Sequence, residues 1–324
     1  MTADSLCAPA AAWPLACPKC RSDLGALPAG DGGPFEVKCS ACGLPFPRRA
    51  GVWDFLPPDR QADLATFLDQ YTRVRYAEGR GELTAEGLRR LPWPDPDDPL
   101  AWQWYIRATS FEHLLDAVMP LIGQRSLSAI DLGAGTGWLS YRLALEGHVP
   151  LAVDLSVDAR DGLAAARAFD GVLATPFSRM RAEFDRLPLS NGAADLVVFN
   201  ASLHYSSDYA VTLAEALRVL VPGGRVVIMD SPIYHDRRAG EAMVAARRAD
   251  FLTRFGFRSD ALRSREFVTY ADLGQLGRDL GLRWREFAPP YGWRWALRRG
   301  WRRARTGRES ARFAILLAEH EAPA

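Results

Sequence analysis

Four cysteines near the N-terminus have the spacing of a metal site. Cys17 and Cys20 form one C-x2-C pair, and Cys39 and Cys42 form a second pair after an interval of eighteen residues. Each pair lets two thiolates bind one ion from a tight turn, and two pairs complete a tetrahedral set that suits Zn2+. A redox dithiol would need only one pair, in a βαβ context that this segment lacks. We therefore predict a structural zinc ion, because four protein ligands leave no open position for catalysis.

The glycine-rich segment IDLGAGTGWLS, at residues 130–140, is the second feature that could do chemistry. It joins an apolar run to an amphipathic one, and a strand–turn–helix of this kind can bind a nucleotide. A dinucleotide-binding turn that begins with Gly133 and Gly135 would have its third glycine at position 138, where this chain has Trp138. The large indole argues against the dinucleotide template.

The pattern Asp131-x-Gly133-x-Gly135-x-Gly137 resembles motif I of the class I S-adenosylmethionine (SAM) methyltransferases, and the resemblance continues in register to residue 232. It implies that the three glycines bring the backbone beside the methionine and ribose parts of SAM. It also implies that Asp131 helps to hold the cationic amino end. A tight turn would explain the glycines alone, but the longer match favours SAM binding.

Acids that follow the next two predicted strands continue the resemblance. Asp154, at the end of LAVDLS, matches the family's acid that accepts hydrogen bonds from both ribose hydroxyls, and Leu155 lies beside it. In AEFDRLPL, Glu183 falls where an acid receives the adenine amino group, and Phe184 falls where a backbone N–H meets the ring. If the alignment is shifted, Asp185 takes the place of Glu183 as the acid that receives the adenine amino group.

The segment FNASLHY, after the fourth predicted strand, contains the candidate catalytic residues. The resemblance places Asn200 at the cofactor edge, and His204 and Tyr205 toward the methyl acceptor. The sulfonium of SAM already activates the methyl group, so the protein mainly aligns a nucleophile, and a hydroxyl or acidic carbon would also need a base. His204 is the leading candidate base, with packing or helix capping as the alternative role.

Further candidates follow from position alone. Arg75 and Arg107 are candidates for the SAM carboxylate, and four residues are candidates for the acceptor side: Tyr71, His113, Tyr234 and His235. The sequence NASL at residues 200–203 is not the Asn/Asp-Pro-Pro-aromatic tetrad typical of methyltransferases that act on exocyclic base amines. This difference argues against an enzyme that methylates an exocyclic amine such as N6 of adenine.

Apolar runs that alternate with amphipathic segments must hold these residues in place. From residue 127 onward the alternation predicts an α/β fold, a Rossmann-like seven-stranded methyltransferase sheet with helices on both faces. Its strand ends would bring the candidate residues to one edge. The seven predicted strands are 127–132, 149–155, 179–184, 194–200, 224–230, 282–287 and 312–318.

The chain divides into three predicted parts. Residues 1–56 form a small zinc ribbon, residues 57–101 form a helical cap with the Pro-rich linker LPWPDPDDP, and residues 102–324 form the methyltransferase domain. The ribbon sequence CPKC…CSACGLPFPRRAGVWDFL resembles the zinc-ribbon activator protein of tRNA, rRNA and protein methyltransferases. The ribbon-first order is also similar to the large-subunit rRNA guanine-N1 methyltransferases, which differ in their metal ligands. The whole chain resembles the bacterial type 11 methyltransferases that carry such a ribbon.

An arginine-rich segment near the C-terminus could contact a partner. Eight arginines and one acid, Glu309, lie between Arg294 and Arg312, together with Trp295 and Trp301 and just after Trp293. Guanidinium groups and indoles suit RNA, and an amphipathic patch could also meet anionic lipid. The alternative is a solvated helix or hairpin whose tryptophans pack inward.

Bulk composition limits the remaining possibilities. The formal net charge of +1 gives no global attraction to nucleic acid, and no apolar run is long enough to span a membrane. Without a secretory n-region, and with two cysteine pairs, we expect a cytoplasmic protein. The favoured function is a SAM-dependent methyltransferase with a small metabolite as acceptor. The alternatives are an RNA methyltransferase, or a non-catalytic SAM-fold protein that binds a partner through the ribbon and the arginine-rich segment.

Overall fold

The computed structural model describes residues 12–27, 35–123 and 125–320 of the 324-residue chain. The first eleven residues, on which the expected lack of a secretory signal depends, lie outside this part. Fourteen strands are present in it: β1 (Trp13–Ala16), β2 (Asp23–Leu27), β3 (Glu36–Lys38), β4 (Pro45–Arg49), β5 (Val52–Asp54), β6 (Ser128–Leu132), β7 (Val149–Asp154), β8 (Ser178–Arg181), β9 (Ala194–Asn200), β10 (Leu220–Met229), β11 (Ile233–Tyr234), β12 (Val268–Thr269), β13 (Leu282–Phe287) and β14 (Ile315–His320).

Nine α-helices lie in the same described ranges: α1 (Pro58–Ala77), α2 (Ala85–Arg90), α3 (Ala101–His113), α4 (Met119–Ile122), α5 (Trp138–Leu145), α6 (Tyr209–Val219), α7 (Arg237–Phe255), α8 (Tyr270–Leu280) and α9 (Gly292–Thr306). A π-helical turn, Leu114–Val118, joins α3 to α4, and 3-10 segments occupy Leu163–Phe169 and Leu203–Tyr205. Within the described ranges, none of these helices is both long enough and apolar enough to cross a membrane.

Side-chain caps explain where several helices begin. Asp208 accepts hydrogen bonds from the backbone N–H groups of Ala210 and Val211 at 2.9 and 3.2 Å, which starts α6 directly after the segment that carries His204. Thr269 and Asp272 form a reciprocal capping box at the start of α8. Local sequence therefore sets the helix starts that frame the sheet.

The central sheet has the order β13-β14-β10-β9-β6-β7-β8-β5-β4-β3. Strands β10, β9, β6, β7, β8 and β5 run parallel, and β14 is antiparallel to both of its neighbours. The chain moves outward from β6 through β7 to β8, then returns to β9 on the other side of β6. The predicted Rossmann-like α/β fold is confirmed, and this reversal creates the position where such sheets bind ligands.

The sheet continues beyond the seven predicted strands. Trp53 and Asp54 of β5 pair in parallel with Met180 and Arg181 of β8, so the N-terminal segment extends the edge of the same sheet. The fifth predicted strand also begins earlier than expected. β10 starts at Leu220 and continues through Pro222, Gly223 and Gly224, with an irregular register between Leu220 and Arg225.

Two apolar clusters cover the two faces of the sheet. One contains Ile130 and Val197 with Leu213 of α6, and the other contains Ala129 and Val198 with side chains of α3 and α5. The alternation follows from strand geometry, because successive side chains point to opposite faces. Helices on both faces leave the carboxyl edge of the strands open for a site.

Candidate active site

Two cavities open at the carboxyl edge of β6 and β9. The larger has a volume of about 780 Å3 and the smaller about 140 Å3. Four residues are shared by the linings of the two cavities, namely Tyr71, Gly133, Ala201 and Tyr205. The cavities therefore meet at the switch point of the sheet.

The smaller cavity brings together most residues predicted to hold the nucleoside part of a cofactor. Asp154 ends β7 and Leu155 follows it, and Glu183 and Phe184 follow β8; all four line this cavity. Apolar side chains of α1 line it as well, namely Leu64, Phe67 and Leu68. An apolar slot with acids at its edges suits a base and a ribose.

Asp154 connects the glycine-rich turn to β7. Its Oδ2 accepts a hydrogen bond from the backbone N–H of Gly135 at 2.8 Å, and its Oδ1 accepts one from Ser156 at 2.7 Å. Burial raises the pKa of Asp154 above its usual value, and the two backbone donors partly oppose that rise. Each carboxylate oxygen keeps a second lone pair, which leaves acceptors for two hydroxyl groups.

Gly133 and Gly135 both adopt left-handed backbone angles, with φ of +79° and +55°. A Cβ on Gly133 would lie 2.3 Å from the Cβ of Ser202, so no larger residue fits at the junction of the cavities. A Cβ on Gly135 would meet nothing within 4 Å, because this residue borders the larger cavity. The turn thus keeps backbone exposed to a ligand.

Asp131 and Gly137 lie behind that turn and line neither cavity. Gly137 is the N-cap of α5. Asp131 is fully buried; its Oδ2 accepts a hydrogen bond from Ser140 at 2.9 Å, and its Oδ1 has no partner among the described residues. Burial raises the pKa of Asp131 to about 7.

Glu183 is held by an arginine of α1. Arg60 donates to Oε1 of Glu183 from Nη2 at 2.7 Å and to Oε2 from Nε at 3.1 Å. This two-pronged contact fixes α1 over the smaller cavity. Phe184 packs edge-on against Phe199 with ring centroids 5.8 Å apart, so its ring forms a fixed wall.

Two buried acceptors of the larger cavity lack partners. Asn200 is 7% exposed, and neither its Oδ1 nor Oδ2 of Asp230 accepts a hydrogen bond from any described residue. Oδ1 of Asp230 accepts one from Ser110 at 2.6 Å, and burial raises the pKa of Asp230 to about 6. Sequence reasoning missed Asp230, although it follows β10 as Asp154 ends β7. Its position at a strand end was the available signal.

His204 lies buried on the wall of the larger cavity. Its Nδ1 is 3.4 Å from Oγ of Ser231, and burial, with the charges of Arg247 and Arg107, lowers its pKa to about 3. The imidazole is therefore neutral at physiological pH. A base whose conjugate acid has so low a pKa removes a proton from an alcohol poorly.

Tyr205 stands where the two cavities meet. Its ring lies 6.0 Å from that of Tyr71, 6.5 Å from that of Phe67 and 4.5 Å from that of His204. Of the further candidates, Tyr71 and Tyr234 also line the larger cavity, whereas His113 and His235 line neither of these two. Tyr205 thus packs in an aromatic group between α1 and the end of β9.

The walls of the larger cavity combine arginines with aromatic rings. Arg75 makes a two-pronged salt bridge to Asp161, and Arg80 and Arg247 pair with Glu78 and Glu266. The aromatic lining includes Trp102, Trp104, Trp138, Trp295 and Phe313. These arginines therefore have their charges balanced within the protein.

Arg107 is different from these paired arginines. Its guanidinium lies 5.0 Å from the ring of Trp104, and it makes no salt bridge with any carboxylate in the described part of the chain. Burial, with the charges of Arg80 and Arg75, lowers the pKa of Arg107 to about 10, so the group stays protonated at neutral pH. A half-buried cation that has no salt-bridge partner among the described residues suits an anionic ligand group.

The arginine-rich segment forms α9, between β13 and β14. Trp295 packs against Trp102 and Phe313 with centroids 6.2 and 5.7 Å apart, but Trp293 and Trp301 are exposed. Inward packing of the tryptophans, the alternative considered from the sequence, holds only for Trp295. Arg298 places its guanidinium 4.1 Å from the ring of Trp102, at the wall of the larger cavity.

The four predicted metal ligands come together. The Sγ atoms of Cys17 and Cys42 are 3.6 Å apart, those of Cys20 and Cys39 are 3.5 Å apart, and all four lie within 4.8 Å of one another. Tetrahedral zinc with Zn–S bonds of about 2.3 Å needs sulfur atoms about 3.8 Å apart. The cluster is compatible with zinc. Arg21, in the first of the two turns, pairs with Glu215 of α6 at 2.9 Å.

The central region is similar to a known family of domains. Residues 130–228 match the model of a methyltransferase domain family. This part of the chain is similar to methyltransferase domains. The matched region runs from within β6 into β10, so it includes Asp131, Gly133, Asp154, Glu183 and His204.

Similar proteins agree with that assignment. The chain is 36% identical over 99 residues to malonyl-acyl-carrier-protein O-methyltransferase of Hahella chejuensis, which covers 30% of this chain and 34% of that enzyme. It is 34% identical over 118 residues to dimethylglycine N-methyltransferase of Parasynechococcus marenigrum, covering 36% and 41%. The chain thus matches less than half the length of these two relatives.

A solved structure, geranyl diphosphate methyltransferase in complex with GPP and sinefungin, superposes on the chain with a TM-score of 0.50 and 20% identity. It covers 71% of this chain and 85% of that one. At this identity the likeness shows the fold.

The residues of this region fit SAM, the cofactor that similarity to a methyltransferase domain implies. Asp154 has free lone pairs for a ribose, and the unpartnered Oδ atoms of Asn200 and Asp230 would suit an ammonium group. Arg107, which has no salt bridge in the part of the chain that the structure describes, offers a cation for a carboxylate. Together these groups match the polar ends of an amino-acid nucleoside.

Proposed function

We propose that this protein transfers a methyl group from SAM to a small-molecule acceptor that carries an anionic oxygen, such as a carboxylate. The observation that carries the proposal is the meeting of the two cavities at Gly133 and Tyr205. The smaller one suits adenosine, and the larger one has room for an acceptor. SAM supplies an electrophilic methyl group on a sulfonium, and the protein holds the nucleophile in line with it.

Particular residues bind the cofactor in this proposal. Asp154 accepts hydrogen bonds from the ribose hydroxyls, while Leu155 and Phe184 enclose the adenine. Asn200 and Asp230 accept hydrogen bonds from the ammonium group, and Arg107 binds the carboxylate. Oδ1 of Asn200 and Oδ2 of Asp230 support the assignment, because these buried acceptors have no donor among the described residues and would otherwise remain unsatisfied.

The electrostatics of the larger cavity favour an anionic nucleophile. His204, with its pKa near 3, is a poor base for an alcohol, whereas a carboxylate attacks without losing a proton. Arg298 at the cavity wall attracts an anion and opposes an ammonium group. The relative that methylates malonyl-acyl-carrier-protein places the methyl group on oxygen, in agreement with this acceptor class.

Tritiated methyl transfer into an extract of the source cell tests the proposal. The expected product is a low-mass fraction that releases volatile methanol in mild alkali, because methyl esters hydrolyse whereas N-, C- and ether O-methyl groups do not. Ribonuclease treatment should leave the label unchanged. Label lost to ribonuclease would assign RNA as acceptor, and SAM binding with no transfer would assign a non-catalytic role; both contradict the proposal.

A structural zinc ion at Cys17, Cys20, Cys39 and Cys42 belongs to the same proposal. The spacing of the four Sγ atoms supports it. Native mass spectrometry of protein purified without chelator should find one zinc ion per chain, and a Cys39→Ser variant should lose it. Wild-type protein that contains no metal and has the same melting temperature with and without added zinc would contradict the zinc assignment. That result would leave the proposal of methyl transfer unaffected.

A further inference from the structure

Helix α9 exposes an apolar face to solvent. Trp293, Leu297 and Trp301 are spaced four residues apart, so they lie on one side of the helix, and they are 68%, 62% and 65% exposed. Helices of globular proteins normally turn such a face inward. Here Trp295, on the opposite side, makes the inward contacts with Tyr291 and Phe313.

The same face carries positive charge at its border. The guanidinium of Arg294 lies 5.4 Å from the ring of Trp293, and that of Arg305 lies 5.1 Å from the ring of Trp301. Within residues 12–27, 35–123 and 125–320, neither arginine forms a salt bridge. Both charges are thus available to a partner.

No acid of the segment neutralises this charge. Glu309 is the one acid in residues 292–312, and its Oε2 accepts hydrogen bonds from the backbone N–H groups of His235 and Asp236, both at 2.9 Å. Its carboxylate is therefore committed to the start of α7. The exposed side of α9 combines apolar bulk with unbalanced arginines.

We infer that α9 docks this protein on an anionic lipid surface, with Trp293, Leu297 and Trp301 entering the headgroup boundary. Tryptophan and arginine suit that boundary, since each pairs an apolar body with a polar group. An RNA partner would be met by outward guanidinium groups, whereas the outermost side of α9 is centred on the aliphatic Leu297, which offers no hydrogen bond to a base. Lipid chemistry therefore matches both the apolar centre and the charged border.

Docking would also orient the larger cavity. Trp301 and Arg298 line the mouth of that cavity and belong to the same helix. A membrane contact through α9 would place the mouth close to the lipid surface. The inference goes beyond the proposed methyl transfer and does not depend on it, because its test measures binding alone.

Flotation of the full-length, zinc-containing protein with lipid vesicles tests the inference. We expect the protein to float with vesicles of phosphatidylcholine mixed with phosphatidylglycerol, at least about tenfold more than with phosphatidylcholine alone, and to be released by rising salt. Leu297→Glu should lower this partition by about tenfold or more, since it places a charge where an apolar side chain enters the boundary.

Leu145→Glu is the matched control. Leu145 ends α5, is 49% exposed and lies outside α9, so its substitution should leave the partition unchanged. Circular dichroism should show the same melting temperature for Leu297→Glu and wild type. If that variant is unstable, Trp293→Glu replaces it with the same expected loss.

Four outcomes would overturn the inference. Wild type that fails to float with the anionic vesicles is the first, and equal flotation of wild type and of the folded α9 variant is the second. The third is binding of a single-stranded RNA oligonucleotide that Leu297→Glu abolishes while vesicle binding persists. The fourth is a dimer, seen by light scattering, that Leu297→Glu converts to monomer, because the face would then belong to a second copy.

Discussion

The two cavities share Gly133 and Tyr205 but are built by different parts of the chain. The smaller one is lined mainly by loops that directly follow β6, β7, β8 and β9, with α1 on top. The larger one draws on α1, α3, the segment between them, α7 and α9, which are far apart in the sequence. Short local segments thus define the proposed cofactor side, and helices that are far apart in the sequence contribute to the proposed acceptor side.

Charge separates the cavities as clearly as chain position does. The smaller one has the carboxylates Asp154, Glu183 and Asp185 at its border. The larger one is lined by Arg107 and Arg298, neither of which forms a salt bridge within the described ranges. Carboxylates accept from hydroxyl and amino groups, and guanidinium groups bind anions. Variants that affect one cavity and spare the other therefore test the division of labour.

Gly133→Ala should have the largest effect, since the residue borders both cavities. Its Cβ would overlap Ser202 in a left-handed backbone, so we expect a loss of about 3 kcal/mol or more in the free energy of unfolding, and no measurable SAM binding. Gly135→Ala has the strain without the overlap and should lose about 1 kcal/mol. Equal denaturant midpoints for the two variants would show that the junction is not tightly packed.

Asp154→Ala should weaken SAM binding by more than about tenfold in calorimetry, through loss of charged hydrogen bonds to the ribose. Asp69→Ala, an exposed acid of α1 outside both cavities, is the control and should bind SAM as wild type does. Unchanged affinity in Asp154→Ala would mean that the ribose lies elsewhere.

Arg298→Gln should lower the rate of methyl transfer into a limiting low-mass extract by about fivefold to tenfold while leaving the SAM affinity unchanged. The guanidinium faces the larger cavity, so its loss should affect the acceptor alone. Arg254→Gln, which removes an exposed ion pair on α7, is the control. A matching fall in SAM affinity would contradict the separation of the two cavities.

Asp131→Asn should have the smallest effect on SAM binding, because Asp131 lines neither cavity. Its pKa of about 7 lies above the usual 3.8, so ionisation of Asp131 destabilises the folded state. The free energy of unfolding of the wild type therefore falls as the pH rises from about 4 to 7. The variant should therefore gain about 4 kcal/mol over wild type at about pH 8, and nothing below about pH 4.

The pH profile of the variant separates two opposite titrations. His204, with a pKa lowered from 6.5 to about 3, contributes stability above its usual pKa that is lost as the pH falls through this range. Denaturant titrations give the free energy of unfolding of both proteins. Because both contain His204, its contribution cancels when the wild-type value is subtracted from that of Asp131→Asn. A difference that stays constant with pH would show that Asp131 is ionised without penalty.

Strand patterns and the resemblance to motif I predicted the part of the molecule that local sequence determines. The seven strands followed from periodicity, and the resemblance assigned Gly133, Asp154 and Glu183 to the cofactor. Glu183 was expected inside the third predicted strand, but β8 ends before it, at Arg181. The pairing of β5 with β8 did not, because a three-residue strand has too short a pattern to reveal its partner.

The larger cavity could not be predicted from the sequence, for a related reason. Trp102, Arg107 and Arg298 come together only after α3 and α9 pack at the same rim, and such long-range contacts leave no periodic signal. The low pKa of His204 also arises from burial and from arginines of other elements. Chemistry at the acceptor side therefore depended on tertiary structure.

A crystal structure of the protein with S-adenosylhomocysteine tests the central claim most directly, because the methyl-free product should occupy the cofactor position. The account predicts adenine between Leu155 and Phe184, the ribose on Asp154, and the amino-acid end directed past Gly133 into the larger cavity. Adenosine bound wholly within the larger cavity, or no density at Asp154 in crystals grown with saturating compound, would contradict it.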